Sequence, residues 1–188
     1  MKIFFYKYGS ICEPDISDSF RRLGFEVIDE DMEIYNKNLL PSQCVETVSK
    51  KLIDGQFTFV FTINFFPWLS DLCEIMHLKY ISLIVDSPVL ELYSYSLKND
   101  CNRIFLFDRC LYNEFEPFNQ GHIFHVPLAA DVNRIQNVIK NASTSEKAKF
   151  ASDISFIGST YQEKCPFNRS ELNDADRGFT DGIIEAQL

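Results

Sequence analysis

Residues with acid–base side chains stand near the ends of apolar segments in this chain. Asp86 follows the run YISLIV, and His125 lies in HIFHV just before Pro127. A carboxylate or an imidazole at the end of a strand can take a proton from a substrate hydroxyl group. We therefore take Asp86 and His125 as candidate catalytic bases. The imidazole gains interest because Asp131 and Asp86 could lie at the same edge of a sheet.

A second set of residues is suited to bind a substrate rather than to transform it. Asn64 and Ser87 present an amide and a hydroxyl group just after apolar runs. Small residues after a strand leave backbone N–H groups that can meet a phosphate or a sugar. The candidate binding residues are Gly9, Ser10, Asn64, Ser87, Asp131, Gly158 and Ser159, and no residue is taken as a metal ligand.

These positions also have structural explanations, which the sequence leaves open. Asp86 before Ser87-Pro88 and Asn64 before Phe65-Phe66-Pro67 both have the residue type that caps a helix. A single histidine in a strand is more often hydrogen-bonded within the fold than catalytic. For Asp108, which follows RIFLF, we favour the cap of the next helix.

The elements that must position these residues are predicted from the apolar pattern. Continuous rather than alternating apolar runs indicate strands that are buried on both faces of a parallel sheet. The predicted strands are 2–8, 25–29, 57–64, 80–85, 104–107 and 122–126. The predicted helices are 14–23, 41–52, 67–77, 88–97 and 109–115. Strands alternating with helices predict an α/β fold with helices on both faces, in which ligands bind outside the carboxyl ends of the strands.

The segment after Asp131 is more polar than the segments before it. A polar helix and an exposed loop are predicted first, followed by a strand that begins at DISFIG and ends at Gly158-Ser159. The last residues, DGIIEAQL, begin an amphipathic helix and contain no residue that would stop it. A helix cut at its start indicates either that the natural chain continues past Leu188 or that it lacks a C-terminal partner.

Composition narrows the class of protein. The chain has 188 residues and a formal net charge of −9, which disfavours binding to nucleic acid or to an anionic membrane surface. The six cysteines lack metal-ligand spacing and are interpreted as reduced thiols in a cytoplasmic protein. No apolar run reaches the length of a membrane span.

Several familiar ligand-binding motifs are missing. The turn after the first predicted strand reads YGSICEPD, so the GxGxxG dinucleotide motif is absent, as is the P-loop GxxxxGK[ST]. A phospho-receiver domain needs acidic residues at the end of the first strand, where this chain has Lys7 and Tyr8. The usual dinucleotide, P-loop and receiver classes are therefore disfavoured.

Five segments, taken in order, resemble one known family. They are INFFPWLSDLCEIMHLKYISLIVDSPVLELYS, CNRIFLFDR, HVPLAAD, DISFIGSTY and GFTDGIIEAQ. They are similar to an uncharacterised bacterial N-terminal domain that precedes glycosyltransferase domains of the spore-maturation (CgeB-like) type. The resemblance covers residues from about Phe57 to the end, and the order DSP, FLFD, PLAAD, SFIGS carries it.

The resemblance implies a GT-B glycosyltransferase, in which two Rossmann-like domains face each other across a cleft. Residues 1–140 would be the acceptor-side domain, and 141–188 a linker, a strand and the start of a helix leading to a missing donor-binding domain. The nucleotide-sugar would be a substrate held mainly by that domain, and no cofactor is implied. The fragment alone is expected to be inactive.

We therefore expect half of an enzyme that transfers a sugar from a nucleotide-sugar to an envelope or protein acceptor. Its partners would be the nucleotide-sugar, the acceptor and its own C-terminal domain. The alternatives are a non-catalytic Rossmann-like binding or interaction domain, and a different Rossmann enzyme that is complete at this length.

Overall fold

The computed structural model describes residues 1–36, 39–158 and 172–187. The chain divides into two compact units, Met1–Ile135 and Gln136–Leu188. The first unit contains a six-stranded sheet in the order β2-β1-β3-β4-β5-β6, with every neighbouring pair parallel. The strands are β1 (Lys2–Tyr6), β2 (Glu26–Glu30), β3 (Phe59–Ile63), β4 (Lys79–Ile84), β5 (Asn102–Leu106) and β6 (Ile123–His125). The predicted Rossmann-like α/β class is confirmed.

Helices connect these strands, and three of the five have proline in their first turn. They are α1 (Glu13–Arg22), α2 (Met32–Tyr35), α3 (Pro41–Gly55), α4 (Pro67–Ile75) and α5 (Arg109–Phe115). Proline occupies the first or second position of α1, α3 and α4, where its missing N–H costs nothing. The helix predicted over 88–97 is instead two 3-10 turns, Leu90–Tyr93 and Tyr95–Lys98. A further 3-10 turn, Glu116–Phe118, follows α5.

The sheet is covered by helices on both faces. On one face, Phe4, Val60 and Ile104 join a buried cluster with apolar residues of α3, α4 and α5. On the other face, Phe5 and Phe61 pack with residues of α1. All five residues of β3 are buried, which explains why FVFTI reads as a continuous apolar run.

The chain after the sheet is mostly helical where it is described. It forms α6 (Val132–Asn141), α7 (Thr144–Phe150) and α8 (Asp174–Gln187). An exposed loop was expected where α7 lies. Ser143 and Glu146 form a reciprocal capping box at its start, and this S-x-x-E pattern was a readable signal.

The strand predicted to begin at DISFIG is wrong over residues 151–158, which have no strand conformation. Ile154, Phe156 and Ile157 are each more than nine-tenths exposed. An apolar segment becomes a strand only when a neighbouring strand supplies the hydrogen-bonding partners. The rest of that prediction, including Ser159, lies outside the described residues. No helix in the described ranges is long and apolar enough to cross a membrane.

Candidate functional site

The strand order reverses direction between β1 and β3. From β1 the chain moves outward to β2, whereas β3 leads in the opposite direction to β4, β5 and β6. In open parallel sheets, this reversal leaves a crevice outside the carboxyl ends of the two strands. A cleft of about 370 Å³ lies there and is lined by residues that include Tyr8, Glu33, Asn64, Phe66, Asp86 and Glu91. We call it the switch-point cleft.

Asn64 links the ends of three strands in this cleft. Its Nδ2 donates to the Tyr8 hydroxyl at 2.9 Å and to Oδ2 of Asp86 at 2.6 Å. Its Oδ1 accepts the backbone N–H of Val85 at 3.1 Å. The backbone of Asn64 is left-handed, with φ of 56°, a conformation that asparagine tolerates better than most residues. The side chains that follow β1, β3 and β4 are thereby held as one unit.

Buried hydroxyl groups fix the Asn64 backbone from below. Its carbonyl oxygen accepts hydrogen bonds from Thr62 Oγ1 at 2.6 Å and from Ser82 Oγ at 2.8 Å. The Tyr80 hydroxyl lies 2.8 Å from Thr62 Oγ1 and accepts the backbone N–H of Phe66 at 3.0 Å. Burial raises the pKa of Tyr80, so this hydroxyl stays protonated at neutral pH. The floor of the cleft is therefore a closed polar network.

The capping alternatives for Asp86 and Asn64 are wrong. Helix α4 is preceded by Phe66 rather than Asn64, and the 3-10 turn after Asp86 is preceded by Val89. The side chains of Asn64 and Asp86 instead form a hydrogen bond with each other in the cleft. Asp86 is exposed, so a hydroxyl group of a ligand can reach its carboxylate.

The cleft is acidic. Glu33, Asp86 and Glu91 line it, and none of the described residues in its lining is a lysine or an arginine. Glu33 accepts a hydrogen bond from the Tyr6 hydroxyl at 2.6 Å. Burial is the main cause that raises the pKa of Tyr8, and the nearby charge of Asp86 raises it further. Such a lining suits hydroxyl groups and disfavours a phosphate.

The turn after β1 is filled by a side chain of the protein itself. Glu13, which is 2% exposed, accepts the backbone N–H of Tyr8 at 2.8 Å and that of Gly9 at 3.1 Å. Gly9 has φ of 100°, which favours glycine there. These N–H groups are the ones that a phosphate meets in dinucleotide-binding folds. The Gly9 N–H is thus not open to a substrate, and the Ser10 hydroxyl accepts the backbone N–H of Cys12 at 3.4 Å.

Asp108 has the role that the sequence favoured. Its side chain caps α5 by accepting the N–H of Cys110 at 2.7 Å and that of Leu111 at 3.4 Å. Ser87 donates to its Oδ2 at 2.8 Å, and this bond is the main cause that lowers the pKa of Asp108. The Ser87 hydroxyl is therefore bonded to Asp108 at the end of β5, and Ser87 is not among the residues that line the switch-point cleft.

His125 lies at the end of β6, two strands away from Asp86. Parallel strands are about 4.8 Å apart, so β4 and β6 are separated by about 10 Å with β5 between them. The His125 ring lies 6.0 Å from the ring of Tyr112, measured between centroids. The structure therefore does not join Asp86 and His125 in one catalytic pair.

Asp131, which was expected to share a sheet edge with Asp86, is bonded to other residues. The Asp131 carboxylate binds Arg22 at 2.7 Å and accepts the backbone N–H of Arg134 at 2.9 Å. Arg22 is the last residue of α1, which returns the chain from the carboxyl end of β1 to the amino end of β2. The Asp131 carboxylate is thus bonded to Arg22 and to the start of α6 rather than to His125.

The remaining predicted residues add little to the site. Gly158 is exposed in the second unit, and Ser159 lies outside the described residues. Within the described ranges, no group of three or more histidine, cysteine or acidic side chains could hold a metal ion. Sequence reasoning missed Tyr8, Glu13, Glu33 and Glu91. The available signals were the position of Tyr8 after the first strand and the acidic run DEDMEIY.

Comparison with known proteins adds no family. No protein-family model and no curated protein matches the chain. Among solved structures it is similar to one described as the yeast Spc42 trimeric coiled coil, amino acids 181-211, fused to another structure. That likeness has 8% identity and a TM-score of 0.39, and covers 100% of this chain and 96% of the other. At this score it carries no argument about fold or function.

Proposed function

We propose that this chain is the acceptor-binding half of a GT-B glycosyltransferase, which transfers a sugar from a nucleotide-sugar to an envelope or protein acceptor. The observation that carries the proposal is the switch-point cleft, where Asn64 binds both Tyr8 and Asp86. The resemblance of the ordered segments from Phe57 onward supports the same assignment.

The chemistry of the cleft favours a ligand rich in hydroxyl groups. Carboxylates accept hydrogen bonds from sugar hydroxyls, and the rings of Tyr8 and Phe66 offer apolar surface to the C–H groups of a sugar. A pyrophosphate would meet Glu33, Asp86 and Glu91, and the described lining offers no cation to compensate them. The nucleotide part of the donor therefore belongs on a second domain, and the acceptor on this one.

Asp86 is the residue we assign as general base on the acceptor hydroxyl. It is exposed to the cleft, and Asn64 fixes its Oδ2. His125, the other candidate from the sequence, lies on β6 and outside this cleft. General base catalysis contributes about 100- to 10,000-fold to a rate.

The test is sugar transfer by the full-length protein, with labelled UDP- and GDP-sugars as donors and a cell-envelope fraction as acceptor. We expect Asp86→Asn to lower turnover by at least about 100-fold and His125→Ala to change it little. Asp100→Asn is the matched control, because Asp100 is exposed just before the amino end of β5. Near-normal turnover of a folded Asp86→Asn protein would refute the role of Asp86.

A second candidate is a sugar-binding domain that performs no transfer. The filling of the β1 turn by Glu13 favours it, since this fold commonly presents that turn to phosphates. The two functions separate in one experiment with the same protein. Saturable binding of the acceptor without transfer from any donor supports the binding domain.

A further inference from the structure

A second cleft lies at the outer edge of the sheet, between α5 and β6. Its volume is about 340 Å³, and its lining includes Arg109, Tyr112, Asn113 and His125. We propose that this α5–β6 cleft binds the phosphate group of a small organic phosphate. The inference goes beyond the proposed function and does not depend on it.

The backbone of β6 contributes hydrogen-bond donors to this cleft. Ile104 donates to the carbonyl of His122, and Val126 donates to the carbonyl of Leu106. In a parallel ladder, alternate residues of a strand bond to the same neighbour. Residues 122, 124 and 126 therefore face β5, and the N–H and C=O groups of Ile123 and His125 both point away from β5, with the two N–H groups available to an anion.

The side chains that line the cleft favour an anion. Arg109 is exposed and forms no ion pair with a carboxylate of the described residues. Among the described residues, none that lines this cleft is an aspartate or a glutamate. The neighbouring Asp108 carboxylate accepts hydrogen bonds from Ser87 and from the first N–H groups of α5, and its charge also acts on His125. In a chain of net charge −9, the described lining of this cleft carries Arg109 and no carboxylate of its own, unlike the lining of the switch-point cleft.

The volume of the cleft and the aromatic rings in its lining favour a ligand larger than a free phosphate ion. Small-molecule sites have volumes of about 300 to 1,000 Å³, and the α5–β6 cleft falls at the lower end of that range. The rings of Tyr112 and His125 are tilted by 59° and can contact a compact organic group. A sugar phosphate has the required charge and size.

The test is a nitrogen-15 NMR titration of the chain with glucose 6-phosphate, inorganic phosphate and glucose. We expect glucose 6-phosphate to shift the Arg109 side-chain signal and the backbone signals of Tyr112, Ile123 and His125 in a saturable way. A charge-assisted hydrogen bond contributes about 1.5 to 3 kcal/mol, so Arg109→Gln should weaken binding by about 10-fold or more. Lys79→Gln removes the same charge at the exposed first residue of β4 and should leave binding unchanged.

Each arm of the titration either supports or refutes the proposal. If Arg109→Gln and Lys79→Gln lowered the affinity for glucose 6-phosphate equally, the effect would come from net charge alone. That result would refute the site. Equal affinity for inorganic phosphate and glucose 6-phosphate would refute an organic ligand, and so would the absence of saturable shifts. Asp86→Asn should leave the phosphate titration intact, so a failure of the proposed glycosyltransferase function is distinguishable from a failure here.

Discussion

Replacing Asn64 tests whether one residue holds the switch-point cleft together. Asn64→Ala removes the hydrogen bonds to Tyr8, Asp86 and the Val85 N–H. It also places alanine at φ of 56°, where a Cβ lies close to the next carbonyl oxygen. Asn64→Gly removes the same three hydrogen bonds but relieves the backbone.

The two variants should differ by a predictable amount. A side-chain hydrogen bond contributes about 1 kcal/mol to the free energy of unfolding, and less where the partner is exposed, as Asp86 is. With the cost of a left-handed alanine, Asn64→Ala should lose about 3 kcal/mol. Asn64→Gly should lose about 1 kcal/mol less than Asn64→Ala, since glycine adopts this conformation without a steric penalty.

Urea unfolding followed by circular dichroism measures both losses, with Asn141→Ala as the control. Asn141 is exposed at the end of α6, and its replacement should change the free energy of unfolding by less than about 0.5 kcal/mol. A loss below about 1 kcal/mol for Asn64→Ala would show that its hydrogen bonds do not hold the cleft. If Asn64→Gly were less stable than Asn64→Ala, the interpretation that the backbone at residue 64 is strained would be refuted.

Two further predictions concern carboxylates outside the switch-point cleft. Glu13→Gln should lower the free energy of unfolding by about 2 kcal/mol in urea, because the backbone N–H groups of Tyr8 and Gly9 lose a charged acceptor, whereas exposed Glu46→Gln should change it little. Burial opposes ionisation of Asp29, but hydrogen bonds and charges from Lys7 and Arg21 outweigh it and lower its pKa. The stabilisation is therefore complete above the unfolded pKa of about 3.9 and is lost as pH falls through the lower folded pKa. In urea unfolding from pH 7 to 2.5, the stability gap between wild type and Asp29→Asn should stay constant above about pH 5 and shrink below about pH 4, and a gap that widens on acidification would contradict this reasoning.

The sheet was predictable because its signal is local. Apolar runs such as FVFTI are buried on both faces, and the predicted strands lie within a few residues of the observed ones. The helix expected over 88–97 failed because its residues form short turns that pack Leu92 and Leu97 into the core. The strand expected at DISFIG failed for a different reason. A strand needs a neighbour, and the apolar pattern of a segment does not show whether one is present.

The candidate site was only partly predictable because its geometry depends on strand order. Strand-end position selected Asn64 and Asp86, which the structure joins by a hydrogen bond, yet each was judged more suited to capping a helix. Only the placement of β3 beside β4 brings their side chains within 2.6 Å. Asp131 shows the opposite case, since six residues after β6 are enough to carry its carboxylate to Arg22.

The two clefts differ in the charge of the residues that line them. Carboxylates from the segments after β2 and β4 face the switch-point cleft, whereas Arg109 and the outward N–H groups of β6 face the α5–β6 cleft. Asp108 and Ser87 bind each other at the end of β5, between the two. A phosphate placed near Asp86 would lie beside Glu33 and Glu91 as well, and this repulsion favours the α5–β6 cleft as the place for a phosphate.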